Sequence, residues 1–367
     1  MIVRLRQTGL LILLSYFLTT TPVSALTDGN TQEKLIIFSA TDTEAIQPVI
    51  AAFRQRMPHI TVDYQEYQTS ELYHSLQHLT SEQMPDLVIS SAMDLQIKLV
   101  NDGYAQAFTD PVTQALPQWA NWRNEAFGFT FEPVVIAYNK AAFTGLIPPE
   151  THEELALSLR NHTQFYTNRV DSYDIRLSGV GYLFASQDEI NSSISSRLKE
   201  NLGRVVTHLH CCTSQIIENL SNGQSVLGYN LLGSYVMKHA ETDPNIGVIF
   251  PQDYTLVMSR VAFITKQAPN PTNAKAFLRF LLSIEGQQII ADDSGLIALH
   301  PQAQGPFTSG KLTQDYPLRF KPIPLGPALM VYLDQLKQRR FINEWSNTML
   351  YDAVIPWEAF FEMPEPP

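Results

Sequence analysis

The feature that most constrains the fold is the alternation of strand-sized apolar runs with helix-spaced apolar stripes over residues 34–91. Leu35-Ile36-Ile37-Phe38 has strand length and ends in the turn-like Ser39-Ala40-Thr41-Asp42. Ile46, Val49, Ile50 and Phe53 then fall at i, i+3, i+4 and i+7, one face of a helix that Pro58 terminates. Ile60, Val62 and Tyr64 alternate as in a strand, Leu72, Leu76 and Leu79 mark a second helix, and Leu87-Val88-Ile89-Ser90 makes a third strand. A β-α-β-α-β order implies a largely parallel sheet covered by helices.

A further strand is expected at 129–139, and a second block opens at Pro148-Pro149-Glu150-Thr151, where Thr151 and Glu154 fit a capping box. Strand-like stretches at 165–167, 205–209 and 226–229, with helices near 190–202, 214–220 and 231–240, make this block α/β as well. Strands at 246–250 and 256–265 and a long amphipathic helix at 271–291 return the chain to the first block. The fold class expected is therefore α/β with two lobes, each a mostly parallel sheet flanked by helices. Residues 34–140 with 254–300 form lobe 1 and 141–253 form lobe 2. A C-terminal extension, 301–367, has helices at 325–337 and 341–350 and a proline-rich acidic end. In open α/β sheets ligands bind at the carboxyl ends of strands, so the expected site is a cleft between two such rims, with lobe closure as its motion.

Lys and Arg total 25 against 36 Asp and Glu, a net charge of −11, which excludes a nucleic-acid surface built on clustered cations. Arg4 and Arg6 precede the apolar run 10–18 (LLILLSYFL), and Val23-Ser24-Ala25 offers small residues for cleavage. Residues 1–25 are expected to be an export signal, too short in its apolar part to span a bilayer, which needs about 20 residues. The compartment expected is the periplasm.

Several segments carry a resemblance. They are Ser39-Ala40-Thr41-Asp42, the stretch from Asp86 to Phe108, Phe131-Glu132-Pro133 with Tyr138-Asn139-Lys140, SGVGYL at 178–183, GYNLLGSY at 228–235, and SIEGQ within 274–295. In order and spacing they resemble bacterial type 2 periplasmic solute-binding proteins of ABC transporters, on the branch that takes ferric ion or phosphorylated sugars. The resemblance implies a ligand cleft between lobes and a partner permease in the inner membrane. A sensor presenting solute to a membrane histidine kinase would share fold and site.

Ferric-binding relatives use two adjacent tyrosines, and this chain has no Tyr-Tyr dipeptide. The expected rims carry hydroxyls and backbone donors instead: Ser39, Thr41 and Thr43, with Asp42 between them as a further ligand candidate; Ser90 and Ser91; Ser178 and Gly179; Thr213 and Ser214. Each set precedes or opens a helix, where free N–H groups and the helix dipole favour an anion. Taken singly, each hydroxyl is as well explained as a helix cap. Arg176 or Arg260 could clamp an oxyanion, although a surface ion pair is the plainer reading of either. Tyr182, Tyr229 and Asn230 could add polar contacts, and Asp253 could accept sugar hydroxyls. The ligand expected is a small organic anion such as a phosphorylated sugar or other phosphorylated metabolite, bound by a monomer without cofactor or metal.

The two cysteines, Cys211 and Cys212, are neighbours in His208-Leu209-His210-Cys211-Cys212-Thr213. His208, His210 and Cys212 on one strand face could bind Zn or Cu, but residues two apart are about 7 Å apart. A thiol before a helix start could serve a cysteine-dependent enzyme. In an oxidising compartment the pair could instead form a vicinal disulfide, and two buried thiols fit equally well. Binding, not catalysis, is the expectation.

Overall fold

The computed structural model describes residues 33–317 and 319–350. The expected export signal and residues 351–367 lie outside them. β1 (Glu33–Ser39), α1 (Thr43–Arg56), β2 (Ile60–Glu66), α2 (Thr69–His78), β3 (Leu87–Ser90) and α3 (Met93–Asn101) follow the alternation read from the sequence. After α4 (Pro111–Gln114), β4 (Asn121–Trp122) and β5 (Ala126–Gly128), the chain crosses at 129–131 and β6 (Glu132–Asn139) opens the second sheet. There follow α5 (His152–Asn161), α6 (Thr163–Tyr166), β7 (Val170–Tyr173), α7 (Gly179–Asn191), α8 (Ser195–Arg204), β8 (His208–His210) and α9 (Thr213–Ser221). β9 (Leu227–Leu232), α10 (Gly233–Ala240), β10 (Ile246–Ile249) and β11 (Thr255–Met258) complete that lobe. Residues 259–260 cross back to β12 (Val261–Ile264), α11 (Pro271–Leu282), α12 (Ile284–Ile289) and α13 (Ser309–Asp315). β13 (Phe320–Pro322), a 3₁₀ turn (Pro327–Leu333) and α14 (Gln335–Met349) end the described chain.

The first sheet runs β2-β1-β3-β12-β5-β4 and the second β13-β11-β6-β9-β7-β8, with β10 on β6. β1 pairs parallel with β2 and β3, with Ile37 opposite both Tyr64 and Leu87, and β4 pairs antiparallel with β5. Strands joined to the crossings pair antiparallel, β12 with β3 and β5, and β6 with β9, β10 and β11. Each sheet is thus mixed, because a chain entering from the other lobe arrives at the opposite end of the sheet. Both β6 and β11 lie in the second sheet, so the first two crossings fall at 129–131 and 259–260, not near 140 and 254, and β13, paired with β11, returns the chain to the second sheet.

Local differences have local causes. The stretch at 165–167 is the end of α6, and the strand expected from 205 begins only at His208. The helix expected over 190–202 is broken between α7 and α8. The helix expected over 271–291 breaks at Ser283, which turns extended and caps α12 through its hydroxyl to Gly286 N. At 325–337 the chain forms a 3₁₀ turn, and Asp334 then caps a new helix.

One apolar core lies under α1 and α11 and another under α5, α8 and α14. A third includes Phe38, Val88, Met93 and Ile97 of the first lobe with Tyr173, Val180, Ile216 and Leu231 of the second. The lobes therefore meet across a continuous apolar contact.

Candidate functional site

The carboxyl ends of β1 and β3 face those of β7 and β9 across the hinge segments. Ser39 is fully buried, and its Oγ accepts from Thr41 N at 3.0 Å. Ser90 Oγ accepts from Ala92 N at 3.2 Å. Both hydroxyls hold their own turns, as the capping explanation requires. Thr41 differs, because its Oγ1 accepts from Arg260 Nη1 at 3.0 Å. On the second lobe Ser178 Oγ caps α7 by accepting from Gly181 N at 3.2 Å. Thr213 Oγ1 bonds the Tyr173 hydroxyl, and Ser214 is exposed.

Arg260 is the centre of the arrangement. It lies in the second crossing, 1% exposed, the largest fully buried side chain described. Its main-chain N–H donates to Thr130 Oγ1 at 2.9 Å in the first crossing, and its Nε donates to Glu132 Oε1 at 3.3 Å. The Tyr235 ring, from the first turn of α10, lies 5.0 Å from the guanidinium carbon. Burial alone would lower the Arg260 pKa, but the Tyr235 phenol, Glu132 and Asp42 together hold the guanidinium firmly charged. Burial likewise pushes the Tyr235 phenol well up, against the pull of Arg260.

Three buried polar atoms here have no hydrogen-bond partner: Arg260 Nη2, Glu132 Oε2 and Ser234 Oγ. Ser234 is fully buried in the first turn of α10, whose preceding residue, Leu232, has no side chain able to cap it. Unpaired groups of this kind each cost about 1–3 kcal/mol. Two of the three, Arg260 Nη2 and Glu132 Oε2, belong to one buried ion pair at the hinge.

The lobes touch beside it. Gly179 N donates to Thr69 Oγ1 at 2.9 Å, and Ser70 Oγ donates to Leu177 O at 3.1 Å. Gly179 is needed for this approach, since a methyl group there would sit 3.0 Å from Thr69 Oγ1 and 3.1 Å from Leu95 Cδ1. Cys211 and Cys212 are joined in a disulfide, and Cys212 Sγ lies 3.6 Å from Gln68 Oε1. A disulfide sulfur has no proton to donate, so this is a contact and not a hydrogen bond.

Four expected ligand residues are turned elsewhere. Tyr182 gives its hydroxyl proton to Tyr332 O. Tyr229 Oη and Asn230 Nδ2 donate to Asp188 Oδ2 at 2.8 and 2.6 Å, and Tyr254 donates to Asp188 Oδ1 at 2.9 Å. The ladder between β6 and β9 shifts register between Val135 and Ala137, and Asn230 has a φ of 61°. That irregularity breaks the two-residue alternation, so neighbours Tyr229 and Asn230 reach one carboxylate. They line a cavity of about 40 Å³ together with residues of α7, α8 and α14. Asp253 is spent on His152, whose Nδ1 lies 2.9 Å from Oδ1. Arg176 forms a forked pair with Asp174, at 2.8 and 2.6 Å. His208 and His210 both turn to Asp171, at 3.4 and 3.2 Å. Among the described residues no group of three or more His, Cys, Asp or Glu side chains is arranged to hold a metal ion.

Ser234, Tyr235 and Glu132 escaped the sequence reading. The signal was present in GYNLLGSY: β9 runs to Leu232, so its carboxyl end is Gly233-Ser234, not Tyr229-Asn230.

The description "bacterial extracellular solute-binding protein" fits residues 49–320 as a protein family. The substrate-binding protein of an ABC transporter from Agrobacterium tumefaciens is 38% identical, with a TM-score of 0.82 over 89% of this chain and 96% of that one. The periplasmic binding protein AfuA from Actinobacillus pleuropneumoniae, with fructose-6-phosphate bound, is 16% identical, with a TM-score of 0.71 over 87% and 99%. Iron-bound HitA from Pseudomonas aeruginosa is 15% identical, with a TM-score of 0.68 over 86% and 99%. No curated protein matches the sequence.

Proposed function

Because the chain belongs to the bacterial extracellular solute-binding protein family of ABC transporters, we propose that it captures a small organic anion between its lobes for delivery to a membrane permease. A phosphorylated sugar or similar phosphorylated metabolite fits best. The observation that carries this reading is the pair of buried, unpartnered donors, Arg260 Nη2 and Ser234 Oγ, at the uncapped first turn of α10. A charged donor, a hydroxyl and free main-chain N–H groups together suit an oxyanion. Glu132 Oε2, also unpartnered, would accept a hydrogen bond from a solute hydroxyl, which favours an anion carried on a polyol. The fructose-6-phosphate held by AfuA is a ligand of that chemistry.

Ferric ion suits the site less well. Fe(III) wants several phenolate or carboxylate oxygens, whereas the Tyr182 and Tyr229 hydroxyls are engaged and Tyr235 lies against a guanidinium that repels a cation. A cysteine enzyme would need a free thiolate, and both cysteines are in the disulfide. Thermal-shift screening of the protein against sugar phosphates, phosphorylated three-carbon acids, carboxylates and Fe(III) tests the reading. A ligand at about 100 times its dissociation constant adds ~2.7 kcal/mol. Stabilisation by iron alone overturns the anion assignment.

A further inference from the structure

Asp94 lies in the first turn of α3 and is 1% exposed. Its carboxylate accepts only from main-chain N–H groups of its own turn, Leu95 N at 2.9 Å among them. Lys98, one turn on, stands where a helical ion-pair partner would, but its ammonium is bound to Asp102. Elements of both lobes pack on α3 around Asp94: α2, β5 and β12 from its own lobe and α7 from the other. α3 packs against α7, and the Tyr182 phenol in the first turn of α7 is close enough to feel the Asp94 charge. The 3₁₀ turn at Pro327–Leu333 runs along α3 and is tied to the second lobe where Tyr182 donates to Tyr332 O.

No cation from any neighbouring element compensates this carboxylate. β5 and β12 carry no ionisable side chain, and the 3₁₀ turn carries only Tyr332. On α7, Asp188 is held by Tyr229, Asn230 and Tyr254, and Glu189 by Lys199. On α2, Glu71 turns back to Gln68 N, Tyr73 faces Lys98 and Asp102, His74 lies edge-on to Tyr73, and His78 stands in the last turn. Arg260, just ahead of β12, turns its Nε to Glu132 and its Nη1 to Thr41. Burial pushes the Asp94 carboxyl up to about 7, outweighing the main-chain N–H groups that pull it down.

We propose that closing the lobes buries the Asp94 carboxyl in its neutral form and takes up one proton, so that solute capture is favoured on the acidic side of neutrality and release on the alkaline side. In the open form the carboxyl meets water and is ionised at any pH above the ordinary carboxylate range. The closed-to-open ratio should then fall about 10-fold between pH 6 and pH 8.

Hydrogen exchange of the Gly179 amide, which donates across the lobes to Thr69, reads closure in the solute-free protein, so the result does not depend on the ligand assigned above. After correction for the intrinsic pH dependence of exchange, protection should be ~10-fold greater at pH 6 than at pH 8 in the native protein. It should be the same at both in Asp94→Asn. Equal pH dependence in the two proteins, or none in the native one, overturns the proposal. A carbon-13 NMR titration of aspartate-labelled native protein gives a second reading that needs no variant. A midpoint near 7 for Asp94 supports the proposal, and one in the ordinary carboxylate range refutes it.

Discussion

Ser234→Ala separates a ligand-holding hydroxyl from a structural one by the sign of its effects. The Ser234 hydroxyl is fully buried and has no partner, so the solute-free protein carries its desolvation cost, about 1–3 kcal/mol, without a compensating bond. Removing it should stabilise the solute-free protein and raise its melting temperature by on the order of 2 °C, small because the unfolding entropy of so long a chain is large. The same change deletes a hydrogen bond to a charged ligand, about 1.5–3 kcal/mol, and should weaken binding roughly 10- to 150-fold. The assays are thermal unfolding without solute and isothermal titration with the anion that most stabilises the native protein. A structural hydroxyl behaves in the opposite way, with stability falling and affinity unmoved. That pair of results would refute the site assignment.

Arg260→Met leaves Glu132 fully buried without its cation, and urea unfolding should show a loss of about 3–5 kcal/mol, much of it recovered by adding Glu132→Leu. A single variant no less stable than the native protein would contradict the buried pair. Asp171 is pushed up by burial but pulled below the usual range by His210, Ser225 and Asn219, while its bond raises His210. The Asp171 contribution is present above about pH 4 and lost as pH falls through its depressed value; the His210 contribution is present below about pH 6.5 and lost as pH rises through its raised value. Asp171→Asn should therefore lower the melting temperature most near pH 5–6 and less above neutrality, and a gap constant from pH 5 to 8 would argue against the pairing. Cys212→Ser opens the disulfide away from Arg260 and Ser234 and should leave anion affinity unchanged. Loss of turnover of a bound compound in that variant would instead point to an enzyme.

The hydrophobic pattern was enough for the framework, because a helix stripe and a strand run are local properties of the chain. β1 to α3 follow it directly. It was enough also for the strand-to-helix turns, and Thr41, chosen there, does meet Arg260, which was named separately as a clamp. The pattern failed where geometry is set by distant partners. Nothing in the order Gly228-Tyr229-Asn230 announces the irregular ladder that sends both polar side chains to Asp188. Ser39 and Ser90 look like Ser234 in sequence, each at a strand end. Only folding shows that the first two satisfy themselves and the third does not.

The sequence by itself determined a two-lobed α/β chain whose strand ends carry hydroxyls just ahead of helix starts, since periodicity and turn residues act over a few positions. Tertiary structure alone decided which of those groups are left without a partner. Hydrogen-bond satisfaction depends on what the rest of the chain brings within reach. At the crossings the chain pairs Arg260 with Glu132, and it buries both of them and Ser234 of α10 with one polar atom of each unpaired.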